Sequence, residues 1–172
     1  MIEIRIHGSG GQGAVTASEL IAIAAYKDGK FSQAFPKFGP ERTGAPVEAY
    51  CRIDDEFINL RAEVYNPNYL IILDDSLPDV TKGLEKNGTI IINSDKTKKI
   101  GIYKTITIDA TKIAIETFGR NIVNTAVLGA FAKATKLLSL RSIEEAIKEK
   151  FPSSLAEKNI LAVKKAYEVC KR

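Results

Sequence analysis

The sequence predicts an α/β fold: a three-layer α/β/α sandwich around a mostly parallel sheet, built as a single domain over residues 1–172. Three observations carry this expectation. Strand-like and helix-like segments alternate along the chain, as they do where helical crossovers link parallel strands. The runs "LIILDD" and "TIIIN" are apolar at consecutive positions, the mark of strands covered on both faces. The helical stretch from Gln12 to about Tyr26 carries Val15, Ala17, Leu20, Ile21, Ile23, Ala24 and Ala25, so only a narrow polar stripe remains and the helix is covered on most sides.

Taken in order, "IEIRI" is a short strand that ends at a glycine-rich stretch. The first helix follows and stops in "KDGK", with Gly29 as the terminator. "FSQAFP" is a second strand and "KFGPERTGAP" a loop stiffened by Pro40 and Pro46. "VEAYCRIDD" alternates Val47, Ala49, Cys51 and Ile53 against Glu48, Tyr50 and Arg52, which predicts a half-buried strand. "LIILDD" follows as a strand, "LPDVTKGLEKNG" as a short helix, and "TIIIN" and "YKTITIDA" as further strands. Asp109 stands where its side chain caps the next helix, "ATKIAIETFG". "NTAVLGAFAKATKLL" is a longer helix of small residues. "SIEEAIKEKF" opens on a Ser142–Glu145 capping signal, and a last helix runs from about Ser154 to Val169.

Composition narrows the function. The chain has 25 Lys plus Arg against 21 Asp plus Glu, a net charge of +4 spread along its length, so no basic stripe marks a nucleic-acid surface. Trp is absent and aromatics make up 8%, which leaves no stacking platform. No apolar run approaches the ~20 residues of a membrane span, and no signal-peptide pattern opens the chain, so a cytoplasmic protein is expected. Cys51 and Cys170 match no metal or redox spacing, and His7 is the only histidine, expected to be structural.

Gly8, Gly10 and Gly13 satisfy G-x-G-x-x-G between a strand and a helix. Glycines let the backbone turn with positive φ, and the N–H groups of Gly10 to Gly13 with the first helical turn form an anion cradle to which Ser9 and Gln12 add side chains. A tight structural turn is the competing reading. A dinucleotide fold also needs an acid at the end of the second strand, where this chain has Pro36 and Lys37. Lysine there suits a 2′-phosphate better than a free ribose, and no Walker pattern follows. The second loop gathers Lys37, Glu41, Arg42 and Thr43, and Arg42 offers a bidentate fork to phosphate or to a partner's carboxylate. A surface ion pair between Glu41 and Arg42 is the plainer alternative. Asp74 and Asp75 lack any accompanying base or metal-ligand set, so Asp74 is expected to cap a loop. No catalytic residue or metal ligand is assigned. A cradle and a polar loop without reactive groups point to a subunit.

"IRIHGSGGQGAVTASELIAIAA" and "FPKFGPERTGAPVEAYCRI" together resemble the gamma subunit of the pyruvate and related 2-oxoacid:ferredoxin oxidoreductases, and the resemblance extends over nearly the whole chain through "LIILDDSLPD" and "NTAVLGAFAKATKLLSLRSIEEAI". It implies a complex that oxidises a 2-oxoacid with coenzyme A, releases carbon dioxide and reduces ferredoxin. Alpha, beta and delta subunits are the implied partners. Thiamine diphosphate and Mg2+ belong to alpha and beta, and the [4Fe-4S] clusters mostly to beta and delta. This chain alone then holds no cofactor and is inactive by itself; it serves assembly and, in some members, contacts coenzyme A. Carried over by position, Gly8, Ser9, Gly10, Gly11, Gln12 and Gly13 form the glycine turn, and Lys37, Gly39, Glu41, Arg42, Thr43 and Gly44 the second contact loop. Thr43 stands where many relatives carry a second arginine, which removes one phosphate fork. "FGPERTGAPV" looks more like pyruvate-type than 2-oxoglutarate-type gamma chains, while ketoisovalerate enzymes share similar ones. A purely structural interface subunit, favoured by the small residues of "NTAVLGAFAKA", and a free-standing NADP-dependent oxidoreductase are the alternatives.

Overall fold

The computed structural model describes residues 1–37 and 46–171. Among them, in chain order, are β1 (Ile2–Ser9), α1 (Ala14–Lys27), β2 (Phe31–Pro36), β3 (Pro46–Asp54), β4 (Tyr69–Ile72), β5 (Thr89–Asn93), β6 (Lys104–Ile108), α2 (Ala110–Phe118), α3 (Ala126–Thr135), α4 (Leu140–Lys150) and α5 (Ser153–Val169). The strands form one sheet in the order β2-β3-β1-β4-β5-β6. β1, β4, β5 and β6 pair in parallel, while β3 runs antiparallel to both β1 and β2, so β3 alone is reversed in a mostly parallel sheet.

Alternation along each strand sorts the two faces. Ile4, Ile6, Cys51, Ile71 and Ile91 point into the larger core, which also takes in apolar residues of all the helices α1 to α5. α1 lies over β1, β2 and β3, and α3 over β5 and β6. Leu70, Ile72, Ile90 and Ile92 point the other way into a smaller core closed by Leu84, with Val80, Ile100 and Tyr103 against it. The helical crossover from β1 to β2 and the coil crossovers from β4 onward move in opposite directions along the sheet. A shared right-handedness therefore puts them on opposite faces.

The covering layer of that second face is made of turns. The helix expected within residues 77–88 does not form: Asp79 at φ 53° and Gly83 at φ 80° interrupt any helical run, and a Cβ on Gly83 would overlap the carbonyl of Tyr65. β3 is likewise not half-buried, because residues 55–65 lie across it. Arg52 is 0% exposed there. Its Nε donates to Glu3 (2.8 Å), Nη1 to Gln33 Oε1 (3.2 Å) and the Leu60 carbonyl (3.4 Å), and Nη2 to the carbonyls of Ala62 (2.6 Å) and Glu63 (3.2 Å). Every face of the guanidinium fork is thereby used, with the Phe35 ring beneath it at 5.2 Å.

The helical side departs from expectation at the bounds of two helices. α3 spans only Ala126–Thr135 of the longer run expected, because Lys136 at φ 58° ends it. α4 begins earlier than the Ser142–Glu145 signal suggests, because Ser139 takes the cap and accepts from the Ser142 N–H at 3.0 Å. Asp28, at the end of α1, then accepts from the Ser139 N–H (2.7 Å), Ser139 Oγ (2.8 Å) and Ser142 Oγ (2.8 Å), a negative charge at the positive end of α4. α1 itself stops as expected at Gly29, whose φ of 80° allows the Lys30 N–H to reach back to the Ala25 carbonyl. The small residues of α3 serve packing within the chain: a Cβ on Gly129 would overlap the Val163 carbonyl and lie 2.9 Å from the Tyr167 nitrogen of α5. That close contact removes the reason for reading α3 as an intersubunit face.

Replacing Arg52 by Ala leaves Glu3 and the coil carbonyls without their shared donor and should destabilise the purified chain by about 3–5 kcal/mol. A urea titration reads this as a lowered midpoint, while Arg141→Ala, at an exposed ion pair with Glu145, leaves the midpoint in place.

Candidate functional site

The carboxyl ends of β1, β4, β5 and β6, the end of β2 and the start of β3 all lie along one edge of the sheet. At its centre β1 runs out into the glycine turn. The Gln12 N–H donates to the Ser9 carbonyl at 3.0 Å, which closes a turn with Gly10 and Gly11 at its corners, and Gly11 has the φ of 92° that a type II turn demands. The Ser9 N–H donates to Gln12 Oε1 at 2.8 Å, so the Gln12 side chain is folded back over the turn. Gly13 caps α1 at φ 83°, and a Cβ there would overlap the amide of Asn124 and lie 2.9 Å from its Cγ. Among the described residues nothing accepts from the N–H groups of Gly10, Gly11 and Gly13, which stay available to an anion beside the N-terminus of α1.

Ser9 is placed differently from the other members of the turn. Its hydroxyl donates to Asp74 Oδ2 at 2.5 Å, so its proton is engaged. Asp74 also accepts from the Ser76 N–H (3.1 Å) and Oγ (2.6 Å). These hydrogen bonds, that from Ser76 first and that from Ser9 second, hold its carboxyl below the ordinary Asp range. Asp74 is thus the loop cap expected of it. It also fixes the end of β4 to the end of β1.

The two ends of the second loop, Lys37 and Pro46, lie at the same sheet edge. Ser9, the last residue of β1, pairs with Pro46, the first of β3, and Gly8 pairs with Val47. At the other end of the loop the Lys37 N–H donates to the Glu48 carbonyl at 2.9 Å and its Nζ lies 3.3 Å from Glu48 Oε2. Lys37 is exposed at the sheet edge. Gly39, Glu41, Arg42, Thr43 and Gly44, assigned from sequence, lie outside the described residues.

Behind Lys37 stands a polar cluster that sequence patterning did not reveal as one group. Glu48 Oε2 accepts from Tyr50 at 2.9 Å, and Glu48 Oε1 lies 4.0 Å from His7 Nδ1. His7 Nε2 accepts from Arg5 Nε at 3.0 Å, and Arg5 Nη2 donates to the carbonyls of Val80 (3.2 Å) and Lys82. Burial works against charge on Glu48, but the Tyr50 hydrogen bond and the neighbouring Lys37 ammonium keep the carboxyl below its usual range. Burial first, and Arg5 second, push His7 down to about 4, so the imidazole is neutral near pH 7. His7 is the structural residue it was expected to be.

Farther along the edge a cleft of about 530 Å³ is lined by Asp75, Asn93, Asp109, Thr111 and others. Several of its polar groups are already engaged. Asp75 accepts from Ser94 Oγ (2.8 Å) and pairs with Lys98 (2.8 Å), Asn93 donates to the Leu73 carbonyl and to Thr111, and Asp109 caps α2 through the Lys112 N–H at 2.8 Å. Cys51 and Cys170 are buried, and burial pushes both thiols up. Among the described residues no group of three or more His, Cys, Asp or Glu is placed to hold a metal ion, and no helix is long and apolar enough to cross a membrane.

A sequence model of the pyruvate ferredoxin/flavodoxin oxidoreductase family matches residues 3–169. The chain belongs to that family. It is 54% identical over 171 residues to the pyruvate synthase subunit PorC of Methanothermobacter thermautotrophicus, covering 98% of this chain and 95% of that one. It is 50% identical over 177 residues to the common gamma subunit of the pyruvate/ketoisovalerate oxidoreductases of Thermococcus kodakarensis, covering 97% and 96%. The crystal structure of pyruvate oxidoreductase subunit PORC from Thermotoga maritima superposes with a TM-score of 0.87 at 38% identity, over 99% of this chain and 97% of that one. The glycine turn and the strands flanking the second loop, β2 and β3, fall inside the matched span.

Two outcomes follow from this geometry. Gly13→Ala forces a side chain into left-handed backbone and against Asn124, and should cost about 1–3 kcal/mol in a denaturant titration. His7, with a folded pKa near 4 against an ordinary 6.5, gives stability that is complete above pH 6.5 and is lost as the pH falls toward 4. Unfolding midpoints measured between those limits should decline in the wild-type chain and decline less in His7→Gln.

Proposed function

We propose that this chain is the gamma subunit of a pyruvate:ferredoxin oxidoreductase, assembled with alpha, beta and delta partners, and that it supplies contacts to the phosphate side of coenzyme A. The observation that carries the reading is the Ser9–Pro46 pairing, which sets the end of β1, where the glycine turn begins, beside the residue that follows the second loop. The family match and the gamma-chain relatives support the assignment to the complex.

The reaction needs a 2-oxoacid decarboxylated, two electrons delivered to ferredoxin and an acyl group received by the coenzyme A thiol. Thiamine diphosphate with Mg2+ supplies the carbanion chemistry and [4Fe-4S] clusters carry the electrons, and in this reading partner chains hold them. The described residues here do not suit those groups: both thiols are buried and lie in separate elements, β3 and the residue after α5. What this chain offers is position. Main-chain N–H groups at the head of α1 meet an anion without a mobile counter-charge, and Lys37 is held at the mouth by Glu48. Arg42, from the loop that Lys37 opens, adds a planar fork suited to phosphate oxygens. Fixing the distal end of coenzyme A in this way raises the effective concentration of its thiol at the acyl carrier on the partner.

In the assembled complex, Arg42→Ala should raise the KM for coenzyme A by roughly tenfold, equivalent to about 1.4 kcal/mol, while kcat at saturating coenzyme A changes little. Steady-state kinetics with coenzyme A as the varied substrate measures this. An unchanged KM takes Arg42 out of the role.

A further inference from the structure

The first turn of α3 comes to the same edge as that of α1, and between them stands one amide. Asn124, the residue before the Thr125 cap of α3, is 5% exposed. Its orientation is set by its neighbours: Oδ1 accepts from the Thr125 N–H at 2.9 Å, so Nδ2 is the atom turned to Gly13. Nδ2 makes no hydrogen bond to any described residue. Nδ2 is the atom nearest to where a Cβ on Gly13 would stand, so the donor lies beside the glycine turn. The residues behind it are fixed: Thr125 Oγ1 donates to Asn159 Oδ1 at 2.7 Å, and Asn159 Nδ2 to the Leu155 carbonyl at 2.8 Å. A buried amide whose donor lies unpaired among the described residues, beside a turn that leaves its own N–H groups unused, suits a binding site better than a core.

We infer that Asn124 Nδ2 donates a hydrogen bond to a phosphate oxygen bound on the glycine turn, so that the anion is received between the N-termini of α1 and α3. The pairing of Gly13 with Asn124 then has a purpose. The absent Cβ lets the amide come close enough to share an oxygen with the N–H groups of the turn. This rests on the reading of the turn as the phosphate subsite for coenzyme A.

Asn124→Asp separates the two roles of the residue, because the carboxylate still accepts from the Thr125 N–H while the donor is replaced by a negatively charged acceptor. Equilibrium binding of coenzyme A to the assembled complex should show a dissociation constant raised at least tenfold with the unfolding temperature unchanged, and added pyrophosphate should compete less well than in the wild type. Asn124→Ser, which keeps a capping oxygen but lacks the amide's reach, should weaken binding in the same direction, and decides the matter if the Asp variant does not assemble. Wild-type affinity in the decisive variant, alongside weakened binding in Arg42→Ala, overturns the role of Asn124 alone. Wild-type affinity in both overturns the phosphate subsite itself.

Discussion

The arrangement of this molecule turns on the reversal of one strand. β3 returns antiparallel between β1 and β2, so its first residue meets the last residue of β1. Were β3 to enter by a crossover and run parallel, its N-terminus would lie at the far end of the sheet. The loop ahead of it would then open there, away from the glycine turn. Antiparallel pairing therefore does what a longer connection could not: it sets Ser9 and Pro46 opposite each other on one ladder rung.

The two faces of the sheet solve burial in different ways. On the helical face, apolar contact suffices, and α1 and α3 present residues small enough to bring backbones close. On the other face, around β1 and β3, the strands carry Arg5, His7, Glu48, Tyr50 and Arg52, all buried or nearly so except for Glu48. Coil can cover such a surface only if charged and backbone groups satisfy one another, since an unpaired carbonyl or guanidinium there is costly. Arg52 and Arg5 meet that need by donating to carbonyls of the very segments that cover them. Polar side chains here replace the helices that an α/β sandwich ordinarily places on this side.

Much of this was legible in the sequence. Strand and helix positions followed from periodicity, β2 and β5 with the bounds expected and α1 and α5 nearly so. Gly29 and Asp109 announced a helix end and a helix start through local chemistry that needs no tertiary context. The failures share a cause. The helix within 77–88 was lost to positive φ at Asp79 and Gly83, the second at a position packed too closely on Tyr65, eighteen positions away, to carry a side chain. The half-buried pattern of β3 misled because residues that look solvated in a single strand can be buried by coil from elsewhere. Asn124 carried no signal of its own. Its place became visible only when Gly13 was seen to need room for it.

Linking strands by coil also shapes how the molecule can diverge. Lengthening a turn between β3 and β4, or between β4 and β5, adds only a small closure entropy wherever it spares the carbonyls that hold Arg5 and Arg52 and the packing around Leu84. A change of one residue in α1 or α3, by contrast, rotates a whole face of side chains by about 100° relative to the core. Drift in length is therefore channelled onto one side of the domain. That side can be retailored to different neighbours while the opposite side stays fixed by its own jigsaw.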